Sequence, residues 1–164
     1  MLEESHWAAP DEGVQLCQAK GQSEDDCRNY VRVLKSAGRD RLLACGTNAF
    51  APRCSWRHIE AIDVVNEWTP GVAKCPYSQH ANVTSVLTAD GDLYVASPTD
   101  FAGRDATIYR LATAESSGNR LRTMQYNSKW LNQPEFVGSF ETDHFVYFFF
   151  REVAVEYINC GKVN

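Results

Sequence analysis

Val83-Thr-Ser-Val-Leu-Thr-Ala-Asp-Gly-Asp92-Leu-Tyr-Val-Ala-Ser97-Pro-Thr99 holds two apolar, β-branched runs around a tight polar turn. That is the grammar of a β-hairpin. Asp90-Gly91 is its strongest element, because a tight hairpin turn needs positive φ, which glycine adopts at little steric cost. The same grammar recurs upstream in Tyr30-Val-Arg-Val-Leu-Lys-Ser-Ala-Gly-Arg-Asp40-Arg-Leu-Leu-Ala-Cys45-Gly-Thr47, with a one-residue gap near the glycine. Asp40 and Asp92, Ala44 and Ala96, and Thr47 and Thr99 all stand 52 positions apart. A third copy, Phe136-Val-Gly-Ser-Phe-Glu-Thr-Asp-His144-Phe-Val-Tyr-Phe-Phe-Phe150, places His144 another 52 residues on.

More strand-like material follows the central hairpin: Ala106 to Ala112, then Arg120 to Met124, separated by the turn-rich Glu115-Ser-Ser-Gly-Asn119. One unit therefore holds about four strands, and four-stranded units repeating every 40–50 residues are the signature of a β-propeller. A closed sandwich of about ten strands has no reason to repeat its hairpins at one interval, whereas blades packing on equivalent neighbours do. The expected fold is all-β, a partial propeller of about two blades plus the start of a third. Residues 1–16 read as an irregular lead-in, residues 17–164 as the propeller segment, and the repeats span about 30–80, 83–130 and 135–164.

Composition narrows the function. With 44% apolar and 23% charged residues the 164-residue chain has the make-up of a folded domain. A net charge of −5 with no basic stripe gives nucleic acid and anionic membranes no electrostatic reason to bind. The longest apolar run, Phe145 to Phe150, falls far short of the roughly 20 residues that cross a bilayer.

Six cysteines stand at positions 17, 27, 45, 54, 75 and 160. Structural zinc sites bring ligands in close Cys-x2-4-Cys pairs, which these spacings lack, so local disulfides over 17–27 and 45–54 fit better than metal. Asn82-Val83-Thr84 is an N-glycosylation sequon and points to the secretory pathway. Met1 through Pro10 has neither the basic nor the apolar region of a signal peptide, so a missing upstream piece is expected.

At the first repeat the sequence becomes recognisable. Cys17-Gln-Ala-Lys-Gly-Gln-Ser-Glu-Asp-Asp-Cys27-Arg-Asn-Tyr-Val-Arg-Val-Leu34 and Leu43-Ala-Cys45-Gly-Thr-Asn-Ala-Phe50-Ala-Pro-Arg-Cys54 resemble the start of a semaphorin sema domain. The likeness continues through Cys75-Pro-Tyr77, Gly103-Arg-Asp-Ala-Thr-Ile-Tyr-Arg110, Leu121-Arg-Thr, Tyr126-Asn-Ser-Lys-Trp-Leu-Asn132 and Tyr147-Phe-Phe-Phe-Arg-Glu-Val-Ala-Val-Glu-Tyr157, about 150 residues in all. Tyr126 to Asn132 and Asn159-Cys160-Gly161-Lys162 look most like class 5 or invertebrate class 1 and 2 semaphorins.

The resemblance implies a seven-bladed propeller, of which this chain carries the opening blades. It implies an extracellular guidance cue, secreted or part of a membrane-anchored parent, that binds plexin receptors in axon guidance and cell migration and dimerises at full length. It implies the pairs Cys17–Cys27 and Cys45–Cys54 and leaves Cys75 and Cys160 open, either paired with each other or one stranded. Related sema domains often carry a sequon near Asn82, while their receptor contacts lie mostly beyond residue 164, so no receptor-binding residue is named. No catalytic, metal or cofactor site is expected.

Other features have plainer readings. The four histidines, at 6, 58, 80 and 144, show no paired spacing. The doubled Gly-Arg-Asp at 38–40 and 103–105 is turn chemistry rather than an integrin motif. Glu24-Asp25-Asp26 reads as a solvated face, not a calcium loop. Trp56, Trp68 and Trp130 are expected to pack between blades rather than anchor an interface. There is no Gly-x-Ser-x-Gly, His-Glu-x-x-His or phosphate-binding glycine loop. The alternatives are a fragment without activity of its own and a hydrolytic propeller. Made alone, a chain ending in an uncovered third unit is expected to aggregate.

Overall fold

The computed structural model describes residues 5–111 and 120–154. The three sequence repeats become three antiparallel sheets in chain order. The first is a meander of β1 (Val31–Ala37), β2 (Arg41–Gly46), β3 (Arg53–His58) and β4 (Ala61–Pro70); the second joins β5 (Thr84–Leu87), β6 (Leu93–Pro98), β7 (Ala106–Leu111) and β8 (Leu121–Arg122). The third is the hairpin of β9 (Glu135–Glu141) and β10 (Val146–Arg151). The two complete sheets are thus the four-stranded units read from the repeats.

Every quoted hairpin turn falls between the first two strands of its sheet. Ala37 pairs with Arg41 and Leu87 with Leu93, and Thr142 N–H donates to the Phe145 carbonyl at 2.8 Å in the third. Gly91 sits at φ 86°, the left-handed value that the Asp90-Gly91 reading demands. The equivalent alanines Ala44 and Ala96 are both buried at the centres of β2 and β6.

Side-chain alternation then joins the sheets. Val33, Leu43, Cys45, Cys54 and Cys75 from the first unit form one buried cluster with Leu93 and Val95 of the second, and Trp56, Val83, Leu87 and Leu111 pack around it. Full burial of each such aliphatic side chain contributes about 1.5–3 kcal/mol. First strands also lie beside first strands, β1 against β5 and β5 against β9. Arg32 Nη2 donates to the Ala81 carbonyl at 3.0 Å, Thr84 and Ser139 hydroxyls are bonded at 2.9 Å, and Ala89 N–H donates to Glu141 Oε2 at 3.1 Å. Sheets sharing neighbouring inner strands while stacking face on face fan around an axis, which is the arrangement of propeller blades.

The lead-in is partly helical. Asp11–Ala19 is a helix (α1), where residues 1–16 read as irregular. Pro10 at its N-cap cannot donate a backbone hydrogen bond in any case, and Asp11 and Glu12 in the first turn complement the positive end of the helix. Val14 and Cys17, three apart, reach a second cluster with Cys27, Ala49 and Phe50. Nine residues with so few apolar positions give almost no periodic signal, so the helix is set by its tertiary contacts.

Candidate interaction surface

Two disulfides frame the first unit. Cys17 and Cys27 are bonded with Cα atoms 5.8 Å apart, and Cys45 and Cys54 with Cα atoms 4.0 Å apart. Cys45 and Cys54 face each other in register across β2 and β3 and close the base of a buried turn. Within it Asn48, Ala49 and Phe50 all adopt left-handed φ (45°, 55° and 57°), which costs roughly 1–2 kcal/mol per residue.

Neighbours hold that turn. Asn29 Oδ1 accepts from Asn48 N–H at 2.9 Å, Ala49 N–H donates to the Arg28 carbonyl at 3.2 Å, and Asn48 Nδ2 donates to the Ala51 carbonyl at 3.1 Å. A Cβ on Gly46 would strike the Asn29 side chain, so glycine is what lets Asn29 reach the turn. Phe50 then meets Phe101 of the second unit at 5.0 Å, with Tyr77 and Lys20 also against Phe101.

Among the described residues Cys75 is a free cysteine, buried between the first two sheets. Cys160 and Asn159 to Lys162 lie outside the described residues, as does the turn at Glu115 to Asn119. Burial pushes the Cys75 thiol from an ordinary 9.0 up to about 12. Roughly a thousandfold less thiolate should therefore be present at neutral pH, and thiolate is the reacting form. Peptide mass spectrometry after iodoacetamide should find Cys75 unmodified in native protein and modified in urea; rapid native alkylation would contradict the burial.

Asp26 ties its own turn to the segment at 78–81. Its carboxylate accepts from Ser23 Oγ at 2.6 Å, from Gln79 Nε2 at 3.1 Å and lies 3.0 Å from His80 Nε2. The Ser23 hydrogen bond above all, then that of Gln79, holds its pKa below the ordinary 3.8. A depressed acid stabilises the fold above its unfolded pKa and stops doing so as pH falls through the lower folded value. Amide protection in residues 23–27 and 78–81, taken relative to the intrinsic exchange rate at each pH, should accordingly fall below pH 3.8 in the native protein, and Asp26→Asn should abolish that step.

Among the described residues no three His, Cys, Asp or Glu side chains gather into a metal site. His58 sits 3.8 Å from Asp40, and His144 contacts the Phe145 ring. In the second Gly-Arg-Asp, Asp105 is buried against Thr99 Oγ1 (2.9 Å) and Arg122 Nη2 (3.2 Å), so it is not offered to a partner. Asn82 is exposed in the connection leading into β5.

The tryptophans divide. Trp56 packs against the inter-sheet cluster with the Arg41 guanidinium 4.5 Å from its ring, as expected of packing between blades. Trp68 lies instead at the outer side of the first sheet between Trp7 (5.1 Å) and Arg53 (4.6 Å). Trp130 is 61% exposed, contrary to the core-packing expectation, because the short turn at 127–131 projects it outward. Another open surface belongs to the third sheet. Phe140 stacks on Tyr147 and Phe149 (5.2 and 5.5 Å) on its outward face, beside exposed Val137 and Phe145.

Fanned four-stranded meanders tied by inner strands define a segment of a β-propeller. No family model matches the chain. It is 53% identical over 99% of its length to Semaphorin 5c of Drosophila melanogaster and 48% identical over 99% to Semaphorin-5B of Mus musculus, covering 15% and 14% of those proteins. In structure it matches Drosophila Semaphorin 1b, extracellular domains 1-2, with TM-score 0.85 and 40% identity, over 98% of this chain and 30% of that one. It also matches a chain of Drosophila Plexin A in complex with Semaphorin 1b, with TM-score 0.82 and 40% identity, over 98% of this chain and 29% of that one. The proteins it is similar to are semaphorins, Semaphorin-1A of Drosophila melanogaster among them at 45% identity over 95% of this chain and 16% of that protein. The chain spans about 15% of the length of the curated relatives it matches. No described helix is long and apolar enough to cross a membrane.

Proposed function

We propose that the chain supplies the opening blades of an extracellular semaphorin-type propeller that recognises a plexin-type receptor in axon guidance and cell migration, with no bond made or broken. The observation that carries this reading is its match, at 40% identity over 98% of its length, to a chain of a plexin–semaphorin complex. Two disulfides and an exposed sequon at Asn82, where we place an N-glycan, support an extracellular setting. Homodimerisation belongs to the same proposal, for the protein at propeller length.

The test uses glycosylated protein secreted at 164 residues and at propeller length. The long form should be monodisperse by light scattering and bind a plexin ectodomain saturably, while the short form self-associates through the outward ring face of β9 and β10. Absence of saturable binding by the long form would overturn the receptor reading. A monodisperse short form that binds would place the receptor surface within these residues.

A further inference from the structure

We infer that Cys45, Cys54 and Cys75 form a three-sulfur exchange centre, in which the Cys75 thiol displaces Cys54 from Cys45 and so releases the left-handed turn. Cys75 is a free thiol, 1% exposed, and it lies in one buried cluster with both halves of the Cys45–Cys54 bond. Cys17 and Cys27 belong to a second cluster, and among the described residues no free thiol is a member of it.

The sheet sets the placement. Val33, Leu43, Cys45 and Cys54 all contribute to the shared cluster, with Val33 opposite Cys45 and Cys45 opposite Cys54. Beyond β4 the chain turns back toward them: Gly71 N–H donates to the Pro52 carbonyl at 2.8 Å, and Cys75 N–H to the Gly71 carbonyl at 2.9 Å. The pairing of β1 with β2 skips Arg32, whose backbone N–H is given to the Cys75 sulfur. That sulfur is thus held beside β1, with Cys45 next on β2 and Cys54 beyond it on β3. Attacking, central and leaving sulfurs must lie in that order for a thiol to exchange with a disulfide.

The step balances within the chain. The Cys75 thiolate attacks Cys45 Sγ, a Cys45–Cys75 bond forms as the Cys45–Cys54 bond breaks, and the electron pair goes to Cys54 Sγ, which takes up the proton that Cys75 lost. No oxidant or reductant is consumed. The turn favours the product, since Asn48, Ala49 and Phe50 keep their left-handed backbone only while Cys45 and Cys54 close its ends. Burial slows the step, because it holds Cys75 protonated with its pKa at about 12, and the thiolate is what attacks. Exchange is therefore slow at neutral pH and quickens as pH rises. In the exchanged form Phe50 loses its fixed approach to Phe101 of the second unit, so the contact between the first two blades loosens.

The experiment incubates propeller-length protein in native buffer at pH 7, 8 and 9 with iodoacetamide as the trap and no added thiol, then maps linkages by non-reducing peptide mass spectrometry after an acid quench. Cys54 should acquire the label and a Cys45–Cys75 peptide should accumulate, about tenfold faster for each pH unit, while Cys17–Cys27 stays intact. Cys75→Ser should slow labelling of Cys54 at least about tenfold. Should that variant not fold, the linked peptide from the unsubstituted protein decides alone. Cys54 unlabelled at pH 9, Cys75 labelled with Cys45–Cys54 intact, or Cys75 already joined to another cysteine of the full chain overturns the inference. Opening of Cys17–Cys27 at the same rate as Cys45–Cys54 overturns it too, because that pattern belongs to general unfolding.

Discussion

Leu43→Ala should lower the unfolding free energy by about 2–5 kcal/mol, the largest single-residue loss expected in the chain. Leu43 is almost wholly buried, pairs with Lys35 on one side and Trp56 on the other, and faces Leu93 and Val95 across the gap between sheets. The alanine leaves a void between two β-sheets whose strands are held in fixed register, so neither can collapse far into it. Since domains are stable by about 5–15 kcal/mol, much of the fold would go with it. Urea titration at propeller length is the measurement, with Leu16→Ala as comparison. Leu16 stands exposed on α1, away from the blade faces, and should cost little. Equal effects would mean that the sheets do not pack through Leu43.

Removing the Cys45–Cys54 bond should rank second, at about 2–5 kcal/mol for the paired change to alanine. Part of that loss is the freed chain. The rest follows from what the bond closes, the left-handed turn from Asn48 to Phe50, whose unfavourable backbone is tolerated only while its ends are held. The matching change at Cys17 and Cys27 frees a loop of similar length but no such turn. Thermal unfolding of the two paired variants should therefore separate them, with the Cys45–Cys54 variant less stable; the reverse order would refute the role given to the turn.

How much was legible follows from where the signal lies. The hairpins at Ala37–Arg41, Leu87–Leu93 and Glu141–Val146 could be read because turn residues and alternating apolar runs are local properties, and the 52-residue repeat ties them to equivalent sheets. Helix α1 could not, since nine residues anchored by Cys17 and Val14 carry too little period. The left-handed turn was hidden for a different reason. Asn48, Ala49 and Phe50 are ordinary in composition, and only Asn29, nineteen positions before Asn48, and the disulfide make their conformation necessary. Trp56 and Trp130 look alike in sequence. Their fates differ because Trp56 lies on the inward face of a central strand and Trp130 on a surface turn, and alternation informs only about strands.

The outward row of Phe140, Tyr147 and Phe149 also sets an order of events during synthesis. Each sheet finds its partner in the next one translated, so the shared core around Leu43 and Val95 is complete once Leu111 has emerged. Folding can then advance along the nascent chain, one blade behind the ribosome, always with one sticky leading face. The aromatic row is that face after the third hairpin. It makes this point in translation the one where a pause most favours capture by chaperones or by a neighbouring nascent chain.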